Sequence, residues 1–101
     1  LDRNWLNAFP GQLHAVGAVF RVGSAKAGDA STLHRNWSAM QKPLDAGPMS
    51  RNYLLPGAIL LQQYRNAGDT AKAAQVENEL RKIASASGGT QELRKSNVLH
   101  P

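Results

Sequence analysis

The chain has 101 residues, a formal net charge of +5 and an apolar content of 42%. That length carries one domain with a modest core, the apolar content excludes a wholly disordered chain, and the absence of cysteine excludes disulfide staples and thiolate metal ligation. The basic residues are scattered from Arg3 to Lys95, and their densest pairs, Arg81-Lys82 and Arg94-Lys95, are too short for the basic patch of a nucleic-acid binder.

The N-terminal region, residues 1–12, reads as irregular, with turn chemistry at Phe9-Pro10-Gly11. Next comes an alternation in which Val16, Ala18, Phe20 and Val22 point one way and Gly17, Val19 and Arg21 the other. This is the period of two of a half-buried strand. A lone strand leaves its backbone groups unmatched, so it is expected to pair with residues 1–8, with the C-terminus, or with polypeptide outside this chain.

A short amphipathic helix follows, within 28–42. Asp29 or Ser31 is suited to cap it, and Leu33, Trp37 and Met40 form its apolar stripe. Pro43 ends it, and Pro43 to Ser50 reads as a linker punctuated by Gly47 and Pro48.

The stretch 50–86 carries the plainest signal, a helical hairpin. Pro56 places the first helix's start near Leu55, or else kinks a helix that begins near Ser50. Leu60, Tyr64 and Ala67 form one stripe, and Leu54, Ala58 and Leu61 the stripe beside it, a wide apolar face. Gly68 is a left-handed stop and Asp69 an immediate cap for the second helix. That helix repeats apolar residues at Ala73, Val76, Leu80 and Ile83, and sets Glu77 four residues before Arg81 for a surface pair. A connection this short makes the two helices antiparallel. Ser85 to Gly89 reads as a flexible break. The tail, 87–101, has one short helical segment starting at Thr90.

The fold class expected is therefore mostly α, a small α+β domain over 1–101. An antiparallel hairpin packs on a short third helix and on one or two N-terminal strands within 1–27. A single hairpin with no repeat beside it is expected to serve as core rather than as a grip for a partner.

No catalytic constellation emerges. His14, His34 and His100 are dispersed, without carboxylates at metal-ligand spacing, and read as surface or half-buried residues. Ser31, Ser38 and Ser50 lack a nucleophile elbow, and the glycines form no phosphate cradle. No cofactor and no metal are expected, and this segment is expected not to be an enzyme. Trp37 belongs to the core stripe, whereas Trp5 reads as an exposed anchor. Trp5, Arg51 and Tyr53 are the candidate partner-binding residues.

The longest apolar run, Leu54 to Leu61, is interrupted by Pro56 and Gly57, and falls well short of the roughly 20 residues of a membrane span. No signal peptide is visible. The opening Leu-Asp-Arg-Asn-Trp has no initiator Met, so the chain is expected to be a piece of a longer protein with targeting or membrane segments upstream.

Two resemblances add to this reading. Leu60, Tyr64, Gly68 and Ala73 fall on the spacing of a tetratricopeptide repeat for its first-helix Leu and Tyr, its turn Gly and its second-helix Ala. The hairpin thus resembles one degenerate copy of about 34 residues. It departs from that repeat at Glu77, usually aromatic, at Leu80, usually Ala, and in lacking a closing Pro near Ser85.

The second resemblance covers more of the chain. In order, LDR at Leu1–Arg3, AVGAVFRV at Ala15–Val22 and SRNYLLPGAILLQQYRNAGDTAKA at Ser50–Ala73 look like the soluble C-terminal portion of bacterial multi-pass membrane proteins of the protein O-mannosyltransferase-like class. The resemblance implies a parent that moves a sugar from a lipid-linked donor, with its catalytic acid in membrane-proximal loops outside this chain. This domain would be accessory, on the periplasmic side, contacting the rest of the parent polypeptide or another protein, and meeting the membrane only through the parent chain. The alternatives are a stand-alone tetratricopeptide-like interaction module and a basic nucleic-acid-binding domain.

Overall fold

The computed structural model describes Gln12, residues 30–45 and residues 47–96. Across these residues the fold is mostly α, with no strand among them. The strand expected at 16–22 and the anchor at Trp5 lie outside the described residues.

Helix α1 spans Ala30–Gln41 and turns Leu33 and Trp37 inward with Met40 at the core's edge, the stripe its sequence sets out. It runs directly into a 3-10 helix, Lys42–Leu44, with Pro43 in the first turn. Asp45 closes that turn in the left-handed region, at φ 50° and ψ 45°, a conformation Asp tolerates better than most residues. A second 3-10 helix, Pro48–Tyr53, leads into α2. The segment expected to be a linker is therefore largely wound into short helices, because Pro43 and Pro48 preset the φ angle of a first helical turn.

Helix α2 spans Leu54–Asn66, which resolves the two readings of Pro56 in favour of a start beside it. There Pro56 sits in the first turn, where its missing N–H leaves no intrahelical bond unmade. Leu54, Leu55, Ala58, Leu60, Leu61 and Tyr64 are all buried, so α2 is apolar nearly all round. It can be so because it is the central element, packed against α1, against α3 (Thr70–Ser87) and against the second 3-10 helix.

The reversal between α2 and α3 follows from three residues. Gly68 takes φ 75°, donating its N–H to Arg65 O at 3.1 Å, while Asp69 N–H donates to Tyr64 O at 3.0 Å. Together these close a Schellman motif on the last carbonyls of α2. The Asp69 carboxylate then accepts from Lys72 N–H at 3.1 Å, capping α3.

Ala73, Val76, Leu80 and Ala84 face the core from α3, and Ile83 lies at its edge. The helix continues to Ser87, past the start of the break expected at Ser85. It stops at Gly88 (φ 82°), where Gly89 N–H donates to Ala84 O at 2.8 Å. A last helix, α4, spans Thr90–Ser96 and returns Leu93 to the core. Glu77 does not pair along its own helix with Arg81. It accepts from the Arg65 guanidinium at 3.0 Å, across the hairpin, because the antiparallel neighbour brings a nearer cation than the next turn does.

One contact reaches in from far along the sequence. The Gln12 carboxamide accepts from Leu55 N–H and donates to Arg51 O, each at 3.0 Å. Leu55 N–H is an orphan donor of the first turn of α2, and no local side chain caps that end. Gln12 does so from 43 residues away. No helix among the described residues is long and apolar enough to cross a membrane.

Candidate functional site

Three helices each deliver one polar side chain to a single point. His34 follows Leu33 on the buried side of α1, Tyr64 is the last inward position of α2, and Glu79 stands beside Leu80 on α3. Glu79 Oε1 and Oε2 lie 3.2 and 3.1 Å from His34 Nε2, and the Tyr64 hydroxyl lies 3.3 Å from His34 Nδ1. Tyr64 also donates to Ala30 O at 3.3 Å, at the start of α1. A hydroxyl has a single hydrogen, so when Tyr64 gives it to Ala30, His34 must donate at Nδ1. The rings of His34 and Tyr64 also meet edge to face, their centroids 5.8 Å apart.

His34 is therefore buried, at 8% exposure, and has a carboxylate partner, unlike the surface or half-buried histidine its sequence context suggests. The signal was not local, since Glu79 is 45 residues away. Only the antiparallel return of α3 brings the two together. Both ring nitrogens of His34 lie within hydrogen-bonding distance of protein groups, Nδ1 of Tyr64 and Nε2 of Glu79. Ser50 is fully buried, which withholds its hydroxyl from any substrate. Among the described residues no three His, Asp or Glu side chains gather as a metal would need.

Outside this cluster lies a cleft of about 420 Å³ between α1 and α3. His34, Tyr64 and Glu79 line it together with Arg35 of α1 and Lys72 and Gln75 of α3.

Of the residues expected to meet a partner, Arg51 and Tyr53 share the 3-10 helix Pro48–Tyr53. Arg51 is exposed, and the stem of its side chain lies over Gly89. Tyr53 is half-buried against the core, and its carbonyl accepts from the Trp37 indole N–H at 2.9 Å. Two residues of this turn thus have their carbonyls fixed, Arg51 by Gln12 and Tyr53 by Trp37. Between them and the preceding loop stands Met49, 59% exposed and the exposed large hydrophobic residue among those described. Sequence reading missed Met49 because a lone apolar residue between Pro48 and Ser50 has no periodicity to mark which way it points.

No family model matches this chain, and no curated protein or solved structure is significantly similar to it.

Proposed function

We propose that this chain is a non-catalytic accessory domain that acts by contacting another polypeptide, on the periplasmic side of a bacterial membrane glycosyltransferase-like protein of which it is a part. The observation that carries the contact reading is the turn Pro48–Tyr53. It offers Met49, Arg51 and Asn52 to solvent on a backbone already tied down by Gln12 and Trp37. A surface fixed in advance loses little conformational entropy when a partner docks, and an exposed Met beside an Arg is the kind of pair that contributes to such contacts. The hairpin, in contrast, has its apolar faces used up in the core. The parentage and the compartment rest on the sequence resemblance.

A photo-crosslinking residue at position 49, in the full-length protein in its own membrane, tests the contact. The expected result is a discrete adduct with one polypeptide segment or partner that weakens with Arg51→Glu. A crosslinker at the exposed Lys82 gives no such adduct. Equal labelling from positions 49 and 82, or none from 49, overturns the proposal. Flanking sequence separates the two interaction readings: long apolar segments beside this domain support the membrane parent, and further repeats of about 34 residues support a tetratricopeptide array.

A further inference from the structure

We propose that the cleft between α1 and α3 binds a small oxyanion, the phosphate group of a free ion or of a small organic phosphate. Its volume, about 420 Å³, falls within the range of roughly 300–1,000 Å³ typical of ligand sites. Its charge is unbalanced in a particular way. The one acid in its lining, Glu79, has both carboxylate oxygens on His34. Arg35 and Lys72 stand on opposite walls, and neither has a carboxylate partner among the described residues. The Arg35 guanidinium makes one long contact, 3.4 Å, to Thr32 Oγ1, which leaves most of its donors uncommitted.

Two cations lining one cleft repel. An anion between them removes that repulsion and gains charge-assisted hydrogen bonds from both. A guanidinium fork together with a lysine ammonium suits a tetrahedral anion with several acceptor oxygens. Neighbouring donors are at hand in the Ser38 hydroxyl and the Gln75 amide. With Arg35 and Lys72 set against the single acid Glu79, the lining carries a net excess of positive charge.

The test is a ¹H–¹⁵N NMR titration of the folded chain with inorganic phosphate at constant ionic strength. Saturable shifts confined to residues 31–38 and 72–79 are expected. Joint replacement Arg35→Gln and Lys72→Gln should weaken binding by about tenfold or more, the loss of charge-assisted contacts to the anion. Both side chains are exposed, so the variant should keep its melting temperature, and Arg81→Gln with Lys82→Gln should leave binding unchanged. Glycerol 3-phosphate in a parallel titration identifies the source: tighter binding than phosphate marks an organic phosphate as the occupant, and equal binding marks the free ion. Shifts that fail to saturate, that scatter over all basic residues, that chloride reproduces, or that survive the double variant would overturn the proposal.

Discussion

The indole of Trp37 occupies the space that a side chain at Gly57 would need. A Cβ built on Gly57 would stand 2.5 Å from Trp37 Cζ2 and 2.7 Å from Leu80 Cδ2. Trp37 comes from α1 and Leu80 from α3, so α2 admits both of its neighbours at the one residue that has no side chain. Close approach of three helices is what this glycine permits, at a place where helix propensity alone would favour alanine.

The two effects can be weighed at position 57. Gly57→Ala gains up to about 1 kcal/mol of helix propensity, and forcing a methyl into a filled contact costs about 1–3 kcal/mol. Overpacking wins because Trp37 and Leu80 are both fully enclosed and have nowhere to move. Urea unfolding should therefore show Gly57→Ala less stable than the parent chain. A gain in stability would place the indole elsewhere.

The hairpin contact gives a second comparison. Leu80 is fully buried between α2 and α3, and Leu80→Ala should cost about 2–5 kcal/mol as a core truncation. Glu77, three residues earlier, is partly exposed and pairs with Arg65 over the hairpin. Glu77→Ala should cost about 0–1 kcal/mol, the range of a partly solvated ion pair, and less at high salt. Chemical unfolding of both variants at two salt concentrations checks the contrast.

These energetics explain what could be read in the sequence. The hairpin was legible because its signals are local: a helical apolar period, Gly68 as a left-handed stop and Asp69 as a cap act within a few residues of themselves. The stripe Leu33–Trp37–Met40 was legible for the same reason. The pairings were not. His34 with Glu79, Arg65 with Glu77 and Gln12 with Leu55 depend on which helix faces lie together, and no residue near any of them encodes its distant partner. The stretch from Pro43 to Ser50 reads as linker in sequence, although most of it is wound into 3-10 turns, because proline marks both a chain reversal and the first turn of a short helix.

Gln12 supplies a third prediction. Gln12→Ala removes both bonds and leaves the buried Leu55 N–H without an acceptor, a loss of about 1–3 kcal/mol. Gln12→Glu keeps an acceptor for Leu55 N–H but has no donor for Arg51 O, so its effect should be intermediate. Amide exchange at Leu55 separates the cases: it should accelerate strongly in the alanine variant and least in the glutamate variant.

A fourth prediction concerns the polar cluster. Tyr64→Phe takes the shared hydroxyl from between His34 and Ala30 O, and should cost about 1–2 kcal/mol. Combined with His34→Ala, the two losses should fall short of additivity by about 0.5–1.5 kcal/mol, as expected for residues in one hydrogen-bonded network. Additive losses in this double-mutant cycle would mean that the two side chains do not act together.

The account stands on α1, α2 and α3 meeting around Gly57 after the chain folds back at Gly68. Nuclear Overhauser contacts of the Trp37 ring protons report this directly. Cross-peaks to the Gly57 α-protons and to the Leu80 methyl groups are predicted together in the monomeric protein. A Trp37 ring that shows neither set would contradict the packing from which every other prediction is drawn.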